Sequence, residues 1–383
     1  MTTARPSATP AATIIAFVLD NSLLLVLGAL AALVWANVNP GSYASAAHVL
    51  EFAANDIGMV FFFALAAKEV FEATLPGGPL ASPREAGVPI LAAIGGMVAP
   101  AGLYLAIVAA LGRSDLNSGW AIPCATDIAF SYLIARLIFR AGHPAIPFLL
   151  LLAIADDAMG LIVLAVFYPS GDVSVVLLAA LLAPAVVLAW LLRRSGVENF
   201  WAYVAGPGLL SWAGLLAGGL HPALALVPIV PLMPHDQYDI VTLGQRKTVR
   251  LATLQQFEHW WKVPVQVVLF LFGFANAGVP LSSVGPVTWA IMVSLVVGKP
   301  IGILGTTWLA ELLGFRRPEG LSYRAVLVLG ITAGIGFTVA LFFATAAFPP
   351  GAVLNEAKMG ALLSFGAAIV ALGAGRVLKV HRS

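Results

Sequence analysis

The chain has 383 residues, 60% of them hydrophobic and only 10% charged, with a formal net charge of +2. Ordinary globular domains carry about 25% charged residues, so a soluble exterior for a fold of this length is excluded and a lipid-covered surface is expected. No basic run points to nucleic acid, and a single cysteine, Cys124, rules out an intrachain disulfide.

A membrane-crossing helix needs roughly 20 mostly apolar residues, and about twelve stretches meet that criterion. The first, Ile14–Ala36, follows a short polar leader with Arg5 and has no clear small-residue cleavage site, so it reads as a retained span. After it come Asn55–Leu75, a Pro/Gly turn at Pro76–Pro83, Val88–Leu111, Gly119–Ile138, Ala145–Tyr168 and Val173–Leu192. Phe200–Ala217, Leu220–Met233 and Val263–Ala277 are shorter and rich in Gly and Pro; Val287–Leu312, Tyr323–Phe348 and Glu356–Leu378 complete the set. The longest connection, Pro234–Lys262, reads as a cytoplasmic loop leading into an amphipathic segment, and the whole chain, residues 1–383, as a single polytopic membrane domain. With the N-terminus placed in the cytoplasm, sixteen of the twenty Lys and Arg fall on the cytoplasmic side and only Arg113 and Lys358 on the other. That bias supports both termini inside and an even span count.

A charge at mid-bilayer costs about 2.5–3.5 kcal/mol on insertion scales, so those that remain are functional candidates. Asp127 lies in the fourth span, Asp156 and Asp157 in the fifth and Lys299 in the tenth, while Asp20, Asp56, Lys68, Glu69 and Glu72 sit nearer span ends. Helical neighbours point about 100° apart, so one carboxylate of the pair can face a fixed partner and the other a cavity. Their repulsion and a low dielectric favour the protonated forms, and a site that gives up protons to a cation is the simplest basis for antiport. A polar pair that only holds helices together would need no more than an Asn or Ser. The buried Lys299 needs a partner, most simply one of the two aspartates, either as a fixed structural bridge or as one that breaks in another state.

Pro123 disrupts the helix just ahead of Thr126 and Asp127, and Gly330, Gly334 and Gly336 weaken the eleventh span. Interrupted helices in matching places of two halves point to a binding site at mid-membrane. Each is the middle of a three-span unit, spans 3–5 and spans 10–12, and an offset of seven spans inverts one unit against the other. An all-α fold follows, with two crossed, interrupted helices in a core bundle and the remaining spans as scaffold. Asp127 would offset positive helix N-termini and Lys299 negative C-termini.

The stretches AIPCATDIAF, AIADDAMG, FANAGV, VGKPIGI and GITAGIGFTVALF, with AAIGGMVAPAGLYLA and NDIGMVFFFALAAKEV, resemble the NhaA family of Na+/H+ antiporters, a family of inverted-repeat transporters. The resemblance implies that Asp157 is the principal ion- and proton-binding carboxylate, Asp156 its partner, paired with Lys299 when sodium is absent, and Thr126 and Asp127 unwound-helix residues beside the site. It implies export of Na+ or Li+ at Asp157, Asp156 and Thr126 against a larger number of inward protons. The exchange would be electrogenic, would take place at a bacterial inner membrane, and would need neither a cofactor nor enzymatic chemistry. It places Asp56 at the entrance of the second span, and Glu69, Glu72, Glu258 and His259 at the entrance or in the pH response. The family's basic residues after Glu69 are replaced by Val70, Phe71 and Glu72, and those before Glu258-His259 by Leu254, Gln255, Gln256 and Phe257. The regulatory surround is therefore altered. The first connection, Asn37–Ala54, is too short for the β-hairpin that helps the family's best-known member dimerise, which leaves a homodimer possible but doubtful.

Other readings make distinct demands. A retinal pump needs its lysine in the last of about seven spans, whereas Lys299 falls in the tenth. An intramembrane aspartyl protease commonly carries a Gly-x-Gly-Asp signature, absent here. A cation-coupled carrier of organic solutes on the same fold would take up solute without proton counterflow. Sodium and lithium suit carboxylate, hydroxyl and carbonyl oxygens, and no His or Cys cluster suggests a transition metal.

Overall fold

Helices make up all the regular structure of the computed structural model, which describes residues 22–235 and 252–380; no strand occurs among the described residues. In chain order they are α1 (Leu23–Val38), α2 (Pro40–Thr74), α3 (Pro83–Ala110), α4 in two pieces (α4a, Ser114–Cys124, and α4b, Ile128–Ile138), α5 (Ala145–Phe167), α6 (Val175–Arg194) and α7 (Phe200–Ala217). Then follow α8 (Thr253–Asn276), α9 (Pro286–Leu312), α10 in two pieces (α10a, Tyr323–Ala333, and α10b, Phe337–Ala347) and α11 (Ala352–Val377). Seven of these are long and apolar enough to cross a membrane, nine if each bent pair counts as one span.

Three sequence expectations need correction. The stretch Leu220–Met233 is not a helical span but two short 3-10 turns, Pro222–Leu224 and Val230–Leu232. Pro222, Pro228 and Pro231 each lack the N–H an α-helix would use there. The connection between the first two spans is helical: Pro40–Phe52 runs through a widened turn at Ala53–Gly58 into Met59–Thr74. The loop expected at Pro234–Lys262 ends early, since Thr253–Lys262 already forms the first turns of α8. Arg5, Asp20, Asp236, Asp239 and Arg246 lie outside the described residues.

α3 and α9 pack against each other, and small residues set the distance. A methyl on Gly302 would lie 2.0 Å from the Gly95 carbonyl oxygen, and one on Gly95 2.4 Å from that of Gly302. Neither backbone can retreat while Gly298 also abuts the Cα of Pro100, which a methyl would meet at 2.8 Å. Gly302→Ala is expected to destabilise the fold by about 1–3 kcal/mol or more, read as a lowered unfolding temperature in mild detergent, whereas Gly305→Ala, with open space around it, should leave that temperature unchanged. The widened turn Ser294–Gly298 directly precedes Lys299-Pro300. A proline with no N–H to give interrupts the helical ladder there and sets the direction in which Lys299 leaves α9.

Candidate ion-binding site

The two breaks meet. Pro123 ends the 3-10 piece α4a, Ala125 is extended, and the chain bends by 54° before α4b; α10 bends by 50° between its halves. Extended backbone inside a bundle must find partners elsewhere, and each break supplies them to the other. The Asp127 amide donates to the Ile335 carbonyl (2.7 Å), the Thr126 hydroxyl to that of Ala333 (3.2 Å) and the Ser131 hydroxyl to that of Thr332 (3.0 Å). The glycines of α10 permit this approach: a methyl on Gly336 would sit 2.7 Å from the Ala125 carbonyl oxygen.

Asp127 caps both half-helices. Its carboxylate accepts from the Phe130 amide at the start of α4b (3.4 Å), and from the amide (3.3 Å) and hydroxyl of Thr338 at the start of α10b. A carboxylate at two helix N-termini is where the positive ends of the dipoles favour one. Lys299 does the converse at the other end of the break. Its fully buried ammonium donates to the Cys124 carbonyl, at the C-terminal end of α4a, and to Asp156 Oδ2 at 3.1 Å.

Asp156 and Asp157 therefore differ in kind. Asp156 is 4% exposed, with one oxygen on Lys299 and the other, Oδ1, buried without a hydrogen-bond partner among the described residues. The Asp157 carboxylate is half-buried and forms no hydrogen bond or ion pair with a described residue. It borders a cavity of about 300 Å³ whose other walls include Glu69, Thr126, Asp127, Tyr132, Gln266 and Thr338. A second cavity of about 20 Å³ shares Thr126 and Asp157 with the first and adds Asp156, Cys124, Phe63, Phe342 and Phe343. That is room for about one water-sized sphere. The oxygens gathered here, two carboxylates and the Thr126 hydroxyl, form a donor set of the hard type that alkali cations take.

The structure thus brings together Asp157, Asp156, Asp127, Thr126 and Lys299, with Glu69 on the same cavity. The other candidates are elsewhere. Lys68, 6% exposed, bridges Glu72 on its own helix (2.7 Å) and Glu258 on α8 (2.6 Å). His259 is exposed, and Asp56 sits in the widened turn of α2, where its backbone carbonyl accepts from the Trp212 indole (2.8 Å). Sequence reasoning missed Thr338 and the joining role of Lys68. Thr338 could have been found as a hydroxyl in the first turn of a half-helix beginning after Gly336, where backbone donors are left without helical partners; the reach from Lys68 to Glu258 had no local signal.

The family model described as "Na+/H+ antiporter 1" matches residues 11–375. The "Na(+)/H(+) antiporter NhaA" of Geobacter metallireducens is 45% identical over 371 residues, covering 95% of this chain and 97% of that protein. The protein of the same name from Geotalea uraniireducens is 46% identical, covering 95% and 96%. Among solved structures, the sodium proton antiporter MjNhaP1 from Methanocaldococcus jannaschii at pH 8 is similar with a TM-score of 0.54 and 15% identity, covering 95% of this chain and 92% of that one. At that identity the likeness concerns the fold.

Proposed function

This chain belongs to the Na+/H+ antiporter 1 family, and from that premise we propose that it exports Na+, and Li+, in exchange for a larger number of inward protons. The exchange is electrogenic and proceeds by alternating access, with cation and protons competing for Asp157 and Asp156. The chain would sit in a bacterial inner membrane with both termini cytoplasmic, so that the cavity at Glu69 opens toward the cytoplasm. The observation that carries this reading is the unequal pair: Asp157 has no partner among the described residues and stands at the wall of a cavity, while Asp156, one residue earlier, is tied to Lys299. A carboxylate with no protein partner can exchange a proton for a cation without breaking any protein contact. Its neighbour keeps one buried oxygen free to complete the coordination. Lys299 balances the negative charge of Asp156 when no cation is bound, and the Asp127 cap keeps the break in shape whichever occupant is present. Asp127 belongs to the ion- and proton-binding set with Asp157, Asp156 and Thr126: it lines the same cavity, and its capping hydrogen bonds hold the carboxylate in place there.

The test uses everted membrane vesicles acidified by respiration. Added Na+ or Li+ is expected to collapse the pH gradient; a gradient that stays unchanged from neutral to alkaline pH sinks the proposal.

The pH response is assigned to the ion-pair cluster Lys68–Glu72–Glu258, which joins α2 to α8 beside Glu69. Lys68→Met opens both ion pairs of the cluster and unties α2 from α8, so the rate–pH profile is expected to differ from that of the parent. A superimposable profile would remove the cluster from the pH response.

A further inference from the structure

We propose that Gln266, on α8, is a further cation ligand: its side-chain amide oxygen holds Na+ on the way between Glu69 and Asp157 while this cavity is open, and loses it when the cavity closes. This rests on the reading of the chain as a Na+/H+ exchanger and adds to it a waypoint on the wall of the cavity that α8 supplies.

Gln266 is the one amide in the apolar run Val263–Phe272. Its Nε2 donates to the Ser22 hydroxyl at 3.3 Å. Its Oε1 is buried and accepts no hydrogen bond from a described residue. Buried polar atoms are as a rule satisfied, and an exception calls for a reason. Here the reason lies in the surroundings. Gln266 and Ser22 line the same cavity as Glu69, Thr126, Asp127 and Asp157, and the other α8 residues in that wall, Val265 and Leu269, are apolar. Gln266 is therefore the only polar group that α8 contributes to the cavity.

An amide oxygen is a neutral, hard donor that suits an alkali cation. It takes no proton near neutral pH, so unlike Asp157 it favours the cation without competing for the counter-ion of the exchange. Its position also makes it specific to one state. α8 packs on α1, α2, α7 and α10b, whereas α5, which carries both aspartates, packs on α2, α3, α4b and α10a. α5 and α8 are held together mainly through α2 and the two halves of α10, so a shift of one helix relative to the other would separate Gln266 from Asp157, and the oxygen would serve a cation entering from the Glu69 side and not one entering from the other.

The experiment compares the full-length parent with Gln266→Leu and Gln266→Glu in vesicles of both orientations. With the Glu69 face outward, Gln266→Leu is expected to raise the apparent KM for Na+ about three- to tenfold. Its kcat and its pH profile at saturating Na+ should stay at the parent values. Gln266→Glu, which restores an oxygen, should return KM to the parent value or below. With the opposite face outward, Gln266→Leu should leave KM unchanged. An unchanged KM with the Glu69 face outward overturns the assignment. So does an equal rise from both faces, or a joint loss of kcat that Gln266→Glu does not restore, which is the mark of a packing role. A parent that gives no Na+-dependent signal overturns the exchange reading itself.

Discussion

Asp157→Asn is expected to reduce Na+-dependent proton movement to the background of vesicles that lack the protein, with no loss of folded protein. Both halves follow from the structure. The Asp157 carboxylate has no hydrogen-bond or ion-pair partner among the described residues, so an amide of the same size leaves no protein group unsatisfied. It does remove the exchangeable proton and the negative charge that offsets a cation's loss of hydration, a cost that a neutral oxygen in a low-dielectric site does not recover. Stability and exchange therefore separate: the unfolding temperature in detergent stays at the parent value while the gradient response to added Na+ disappears. Retained exchange would show that another group carries the ion. A lower unfolding temperature with lost exchange would show that Asp157 is structural. Asp156→Asn makes the contrast, since it leaves the Lys299 ammonium buried against a neutral amide and should lower stability as well as exchange.

How much of this was visible before folding depends on the range of each interaction. The aspartate pair stood out because charges deep in an apolar run are costly, and that cost is written locally in LLLLAIADDAMG. The break at α4 was legible for the same reason: Pro123 removes a donor from its own helix. Lys299 announced that it needed a partner. That the partner is Asp156 and not Asp157 could not be read by geometry from residues 143 positions away in sequence; helical geometry said only that the two differ, and the family resemblance supplied the order. The glycines of α10 were a weak signal, because glycine is common in membrane helices, and their meaning lies in the Ala125 and Leu295 carbonyls that press against Gly336 and Gly334. Apolar content alone misled at Leu220–Met233, where hydropathy resembles a span but three prolines impose turns. The clasp from Lys68 to Glu258 crosses 190 residues and involves a lysine that looked like a span-end charge.

Removing the lysine of the central pair should be more damaging than removing the pair. Lys299→Met leaves the Asp156 carboxylate buried with neither oxygen satisfied and strips the Cys124 carbonyl of its donor. Breaking a buried ion pair from one side costs about 3–5 kcal/mol. The double change Lys299→Met with Asp156→Asn removes both charges, and a buried pair replaced by neutral groups is often close to neutral in stability. The double variant is therefore expected to unfold at a higher temperature than Lys299→Met alone, with a coupling energy of about 1–3 kcal/mol in the thermodynamic cycle. A Lys299→Met deficit that Asp156→Asn does not relieve would mean that the lysine stabilises the fold through the Cys124 carbonyl and the break in α4, and that its contact with Asp156 contributes little.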